Sequence, residues 1–185
     1  MNNAKLLWID LEMTGLEPDH DRIVELAAVI TDWEFKELAS LEIVVKQDQD
    51  LLDTMPPEVQ KMHNASGLIN KIPHGVSEVQ AEKELLAFLD KYFDKSLILL
   101  AGNSIHQDRR FIRRYWPTAE KRLHYRMLDV SSWKVVFMQK YGVKVAKRNA
   151  HRALDDIRGS IEEMEAYLKY IHPDKGSFDT VSSKE

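Results

Sequence analysis

Three apolar runs near the N-terminus constrain this chain more than any other feature. Residues 5–13 (KLLWIDLEM), 22–32 (RIVELAAVITD) and 37–46 (ELASLEIVVK) each have the length and the β-branched or large apolar content of a strand. Gly15 and Pro18 mark a turn in the first gap, over residues 14–21. The second run is almost wholly apolar and predicts a buried strand, so the chain opens as a three-stranded meander. Helical and extended segments then alternate. A short helix is expected after Pro57. A longer one begins at Ser77, with Glu78 in its first turn and Val79, Leu85, Leu86, Leu89 and Phe93 on its apolar side. Residues 96–101 (SLILLA) and 122–128 predict two more strands; 105–115, 130–141 and 153–171 predict helices, the last stopped by Pro173. The reading is one α/β domain over residues 1–172, a mixed five-stranded sheet flanked by helices, and a polar tail over 173–185.

The acids within this pattern are informative. Successive side chains of a strand alternate faces, so Asp10 and Glu12 project together from the end of the first run. Two neighbouring carboxylates raise each other's pKa and add nothing to folding. Two hard cations between them would resolve the conflict. Asp108 lies in a helix directly after a strand end, where active-site groups of α/β sheets gather. In HRALDDIRGSI the apolar stripe of Leu154, Ile157, Ile161, Met164, Leu168 and Ile171 puts Asp156 at its edge and Asp155 almost opposite. Asp156 is therefore the residue turned to the protein. His151 stands just ahead of that helix. Singly, each has a plain explanation: strand-end charges, an acid at the positive end of a helix dipole, a capping histidine, an Asp108–Arg109 surface pair.

Composition narrows the function classes. The chain has no cysteine, which excludes disulfides and thiolate zinc sites. No apolar stretch approaches the roughly 20 residues of a membrane helix, and no basic, then apolar, leader opens the chain, so a cytoplasmic protein is expected. A formal net charge of −4 argues against long, sequence-blind duplex binding, which depends on many cationic phosphate contacts. It does not argue against a short substrate with few phosphates.

The blocks WIDLEMTGL, AGNSIHQDRRF, HYRMLDVSS and HRALDDI, in this order, resemble the DEDDh exonucleases of the ribonuclease H-like fold, and among them the oligoribonuclease family. That resemblance implies a homodimeric 3′-to-5′ exoribonuclease that acts on RNAs of roughly two to five nucleotides and releases nucleoside 5′-monophosphates. It implies two divalent metal ions, Mg²⁺ or Mn²⁺, which suit ligation by the carboxylates of Asp10, Glu12, Asp108 and Asp156. Asp10 would bridge both, Glu12 and Asp156 would complete one site, and Asp108 would support the other. His151 would be the general base, as an imidazole titrating near neutrality suits removal of a proton from the attacking water.

The same resemblance nominates substrate contacts. Ser104, Arg126 and Ser131 would cap the 5′ phosphate, where a guanidinium forks well onto phosphate oxygens. Leu16 would wedge between two bases, and His63 would approach the scissile or 3′-side phosphate unless it is a plain surface histidine. Tyr125 would act from across a dimer interface, its plain alternative being ordinary packing. Arg109 or Arg110 could guide an anionic substrate. The chain departs from the family at Glu58, where a base-stacking tryptophan is usual; losing a stack worth about 1–3 kcal/mol should weaken binding. Two other readings stay open: a related exonuclease that trims longer RNA or single-stranded DNA, and a silent nucleotide-binding module.

Overall fold

The first two apolar runs become strands that bury both faces, while the third forms an edge strand that buries Ile43 and pairs with the second. The computed structural model describes residues 5–145 and 152–171. β1 (Leu6–Met13), β2 (Ile23–Thr31) and β3 (Glu37–Val44) form the meander, β2 buried along its whole length. α1 (Gln49–Leu52), α2 (Pro57–Ala65) and two single 3-10 turns, Leu68–Asn70 and Ile72–His74, lead to α3 (Glu78–Tyr92). β4 (Ile98–Gly102), α4 (His106–Tyr115), α5 (Pro117–Glu120), β5 (Leu123–Asp129), α6 (Val130–Tyr141) and α7 (Ala153–Leu168) follow. The strand order is β3-β2-β1-β4-β5, antiparallel across β1, β2 and β3, and parallel from β1 through β4 to β5. The mixed five-stranded sheet read from the sequence is the sheet that forms.

Side-chain alternation along β1 divides the core into two layers. Leu7, Ile9 and Leu11 face a cluster closed by α3, α4 and α5. Leu6 and Trp8 face the opposite cluster, built with Ala153, Ile157, Ile161 and Met164 of α7 and Phe137 of α6. Asp10 and Glu12 continue that second row, so α7 covers the face from which they project.

Two segments differ from the sequence reading at their ends. Ser77 caps α3, its hydroxyl accepting from the Gln80 N–H, but Val79 in the first turn is 65% exposed, because it lies about 160° around the helix from Ala81, away from the buried row of Ala81, Leu85 and Leu89. α7 stops at Leu168, and Ile171 is exposed rather than part of the buried stripe. Gly102 marks the closest approach of β4 to β1: a Cβ there would lie 2.8 Å from the Ile9 carbonyl oxygen. Among the described residues no helix is long and apolar enough to cross a membrane.

Candidate active site

The period of β1 and the first turn of α7 bring three acids together. One carboxylate oxygen each from Asp10, Glu12 and Asp156 lies within 4.8 Å of the others. Asp155, the neighbour the helical wheel turns outward, is exposed. Glu12 is buried, and its pKa is pushed up to about 8, first by burial and then by the charges of Glu25, Asp156 and Asp108. An all-oxygen donor set under mutual repulsion suits a hard divalent cation, which takes carboxylate ligands and relieves the charge.

Asp108 arrives from the opposite layer, in the first turn of α4. Its Oδ1 accepts the Leu11 N–H at 2.9 Å, so it is bonded to the backbone between Asp10 and Glu12. Burial raises its pKa well above the usual carboxylate range, and the charge of Asp129 adds to that, against the backbone hydrogen bonds that lower it. It stands beside the three clustered acids rather than among them, close enough for its charge to act on Glu12. His151 lies outside the described residues.

The reading of Arg109 as a guide for substrate, or as a surface partner of Asp108, is corrected. Arg109 is buried; its guanidinium donates to Glu120 Oε1 at 3.0–3.1 Å and to the His124 and Tyr125 carbonyls at 2.8 and 3.2 Å. It fastens α4 to α5 and β5. Arg110, by contrast, is exposed and pairs with Glu17.

His63 is not a surface histidine either. It is 1% exposed on α2, with Nε2 donating to the Met13 carbonyl at 2.9 Å. That bond places Nδ1 toward Glu12, 3.9 Å from its Oε2. Burial lowers the His63 pKa, which favours the neutral ring. Leu16 sits 63% exposed on the loop after β1. The loop is braced by Asp21, which accepts from Thr14 Oγ1 at 3.0 Å and the Glu17 N–H at 2.9 Å, while Gln107 donates to the Leu16 carbonyl. A Cβ on Gly15 would fall 2.4 Å from the Asp21 carboxylate, so glycine permits the brace.

Ser104 and Ser131 meet, hydroxyl to hydroxyl, at 2.8 Å. Asp129, the cap of α6, receives both of their backbone N–H groups at 2.9–3.0 Å, and Ser131 donates to Asn103. Ser104 holds φ 54°, a left-handed conformation uncommon outside glycine. Tyr125 is 70% exposed on the edge strand β5, with the Arg126 guanidinium 5.2 Å over its ring. Sequence reasoning overlooked Asp21, Asn103, Asp129 and Glu25. The one available signal was Glu25, an acid inside an otherwise apolar strand.

Comparison with known proteins adds to this geometry. Residues 7–164 match the RNase_T family, described as exonuclease. Oligoribonuclease of Legionella pneumophila (strain Corby) is 45% identical over 175 residues, spanning 92% of this chain and 94% of its own. Oligoribonuclease of Marinobacter nauticus is 42% identical over 179 residues, at 92% and 97% coverage. Among solved structures, exonuclease I of Methylocaldum szegediense aligns with a TM-score of 0.68 at 16% identity, over 92% of this chain. E. coli exonuclease I in complex with a dA16 oligonucleotide aligns with a TM-score of 0.66, also at 16%. This chain spans only about two fifths of those exonuclease I chains (41% and 42%), and the likeness is one of fold.

Proposed function

The chain belongs to the RNase_T exonuclease family, and from that premise we propose that it removes nucleotides from the 3′ end of very short RNAs, dinucleotides above all. It is a metal-dependent 3′-to-5′ exoribonuclease. The observation that carries the reading is the convergence of Asp10, Glu12 and Asp156 within 4.8 Å, with Asp108 bonded to the strand between the first two. Asp10, Glu12 and Asp156 would hold one divalent ion, with Asp10 and Asp108 directed to a second; Mg²⁺ and Mn²⁺ both suit these ligands. Bound there, the ions supply neutralisation of the phosphodiester charge and acidify the attacking water.

The remaining steps belong to side chains. His151 takes the proton of the water. His63, buried and neutral with its Nε2–H given to the Met13 carbonyl, packs behind Glu12, its unprotonated Nδ1 3.9 Å from the Glu12 carboxyl. Ser104 and Ser131 present a hydroxyl pair for the 5′ phosphate, joined by Arg126. Leu16, on its braced loop, separates the bases. A site that grips the terminal phosphate closes the path to longer strands. Apolar side chains exposed on β5 (Tyr125, Met127) and α6 (Val135, Val136, Tyr141) favour a homodimer, through which Tyr125 would reach the partner's site. A cytoplasmic location accords with such a function.

The test is hydrolysis of RNAs of two to seven nucleotides with Mg²⁺, Mn²⁺ or EDTA. Turnover is expected to be fastest on the dinucleotide and to stop in EDTA. His151→Ala is expected to lose about 10²–10⁴ in rate. Equal or faster cleavage of long strands would assign the chain to the trimming exonucleases instead, and near-normal turnover of H151A would remove the histidine from the mechanism.

A further inference from the structure

Glu25 is an acid to which the reaction assigns no task. It lies on β2 opposite Glu12 in the antiparallel register and is fully buried. A lone carboxylate in such a place is strongly disfavoured, so its partners indicate what it is for. Both come from the start of α7. Arg152 Nη2 donates to Glu25 Oε1 at 2.9 Å, and the Ala153 N–H to Oε2 at 3.4 Å. The Arg152 guanidinium also lies 3.6 Å from Glu42 on β3.

Arg152 is the N-cap residue of α7, and its own side chain makes no capping bond. The first N–H groups of a helix have no partner within it. Here a carboxylate from another strand meets that need, while its charge holds the guanidinium of the residue before. The Arg152 carbonyl in turn accepts the Asp156 N–H at 2.9 Å. Glu25 therefore grips Arg152 and Ala153, two of the four residues that stand between His151 and Asp156 in the chain. The docking of α7 does not depend on this grip, since Ala153, Ile157, Ile161 and Met164 already bury against the sheet. An apolar pair would bury as well; a charged hydrogen bond from Nη2 to one carboxylate oxygen, with the other oxygen on the Ala153 N–H, instead fixes direction.

We propose that Glu25 and Arg152 are positioning residues of the hydrolytic site, a clamp from β2 on the start of α7 that holds Asp156 at Asp10 and Glu12. This rests on the carboxylate and histidine assignments above. Neither residue touches the substrate; both act through the start of α7.

Glu25→Gln keeps the shape and an acceptor for the Ala153 N–H but removes the ion pair, and Arg152→Ala removes it from the other side. Partners of metal ligands typically alter metal affinity or activity by about 10–100-fold. At saturating Mn²⁺ the kcat on a dinucleotide is expected to fall by that factor, with KM changed less than about threefold. The Mn²⁺ dissociation constant, measured by calorimetry without substrate, is expected to rise several-fold. Added ethylguanidinium should return part of the kcat to R152A and none to E25Q, which a purely structural role would not produce. Should R152A fail to fold, since it leaves the buried Glu25 charge unpaired, E25Q decides, because its Arg152 is a quarter exposed and keeps Glu42 at 3.6 Å. Wild-type kcat and Mn²⁺ affinity in folded variants would overturn the clamp. Those same results beside an inactive H151A would leave the assignment of the site intact. Normal turnover of H151A would refute the histidine assignment, and the Mn²⁺ affinity of E25Q would then decide the clamp on its own.

Discussion

Glu12 carries the conflict that the site must resolve. Its carboxyl is buried among Glu25, Asp156 and Asp108, and its pKa is raised from the ordinary 4.5 to about 8. An acid whose pKa is higher folded than unfolded supports folding fully only below its unfolded value. As pH rises from about 4.5 to 8, the unfolded chain releases the proton first and stability falls. A divalent ion replaces that proton with a charge the carboxylates can share. In EDTA the melting temperature is expected to drop across this window, and the gain from added Mg²⁺ or Mn²⁺ to grow over it. A metal-induced gain that stays flat with pH would show that Glu12 exchanges no proton for metal. At the same scale, the choice of Asp156 over Asp155 rested on helix geometry alone, and the structure puts Asp156 at the other acids and Asp155 in solvent. The burial of His63 could not be read this way, because its partner Met13 lies 50 residues away on another element.

Among the elements, α4 shows how adjacent residues of one type take different work. Its helical periodicity predicted the segment, yet the sequence did not separate Arg109 from Arg110 in HQDRRFIRRY. Arg109 points to the interior, where Glu120 and two β5 carbonyls need a donor; Arg110, one residue on and about 100° around the helix, meets solvent and Glu17. Breaking a buried pair leaves an uncompensated charge and costs roughly 3–5 kcal/mol, whereas an exposed pair contributes at most about 1. Arg109→Leu is therefore expected to lower the urea midpoint strongly and Arg110→Leu hardly at all. Similar midpoints for the two would mean that Glu120 finds another partner. The exposed start of α3 at Val79 has the same origin: periodicity gives a face, but the neighbouring elements decide how much of it they cover.

At the scale of the whole molecule, the sheet has one edge at β5, and apolar side chains there and on α6 are left uncovered by the described residues. Trp133, Val136, Phe137, Tyr141, Val143 and Tyr170 line a groove on this side. Exposed contiguous apolar surface of this kind marks an association site. Under the homodimer proposed above, a charge placed in its centre, Val136→Glu, is expected to halve the mass seen by light scattering and to slow dinucleotide turnover by separating Tyr125 from the partner's site. A monomeric wild type, or a dimeric V136E with normal turnover, would remove the dimer from the mechanism.

What the chain determined by itself was local and periodic. Period two placed Asp10 with Glu12, period 3.6 selected Asp156, and the succession of apolar runs specified five strands in a mixed sheet. Such information is carried by bonded neighbours and needs no knowledge of the rest of the fold. Tertiary structure alone decided which groups share a buried space: Asp108 on the Leu11 N–H, His63 behind Glu12, and Glu25 with Arg152, 127 residues apart. Those pairings follow from burial, because a polar group withdrawn from water must find a partner among whatever the fold brings near it, and no spacing along the chain encodes which residue that will be.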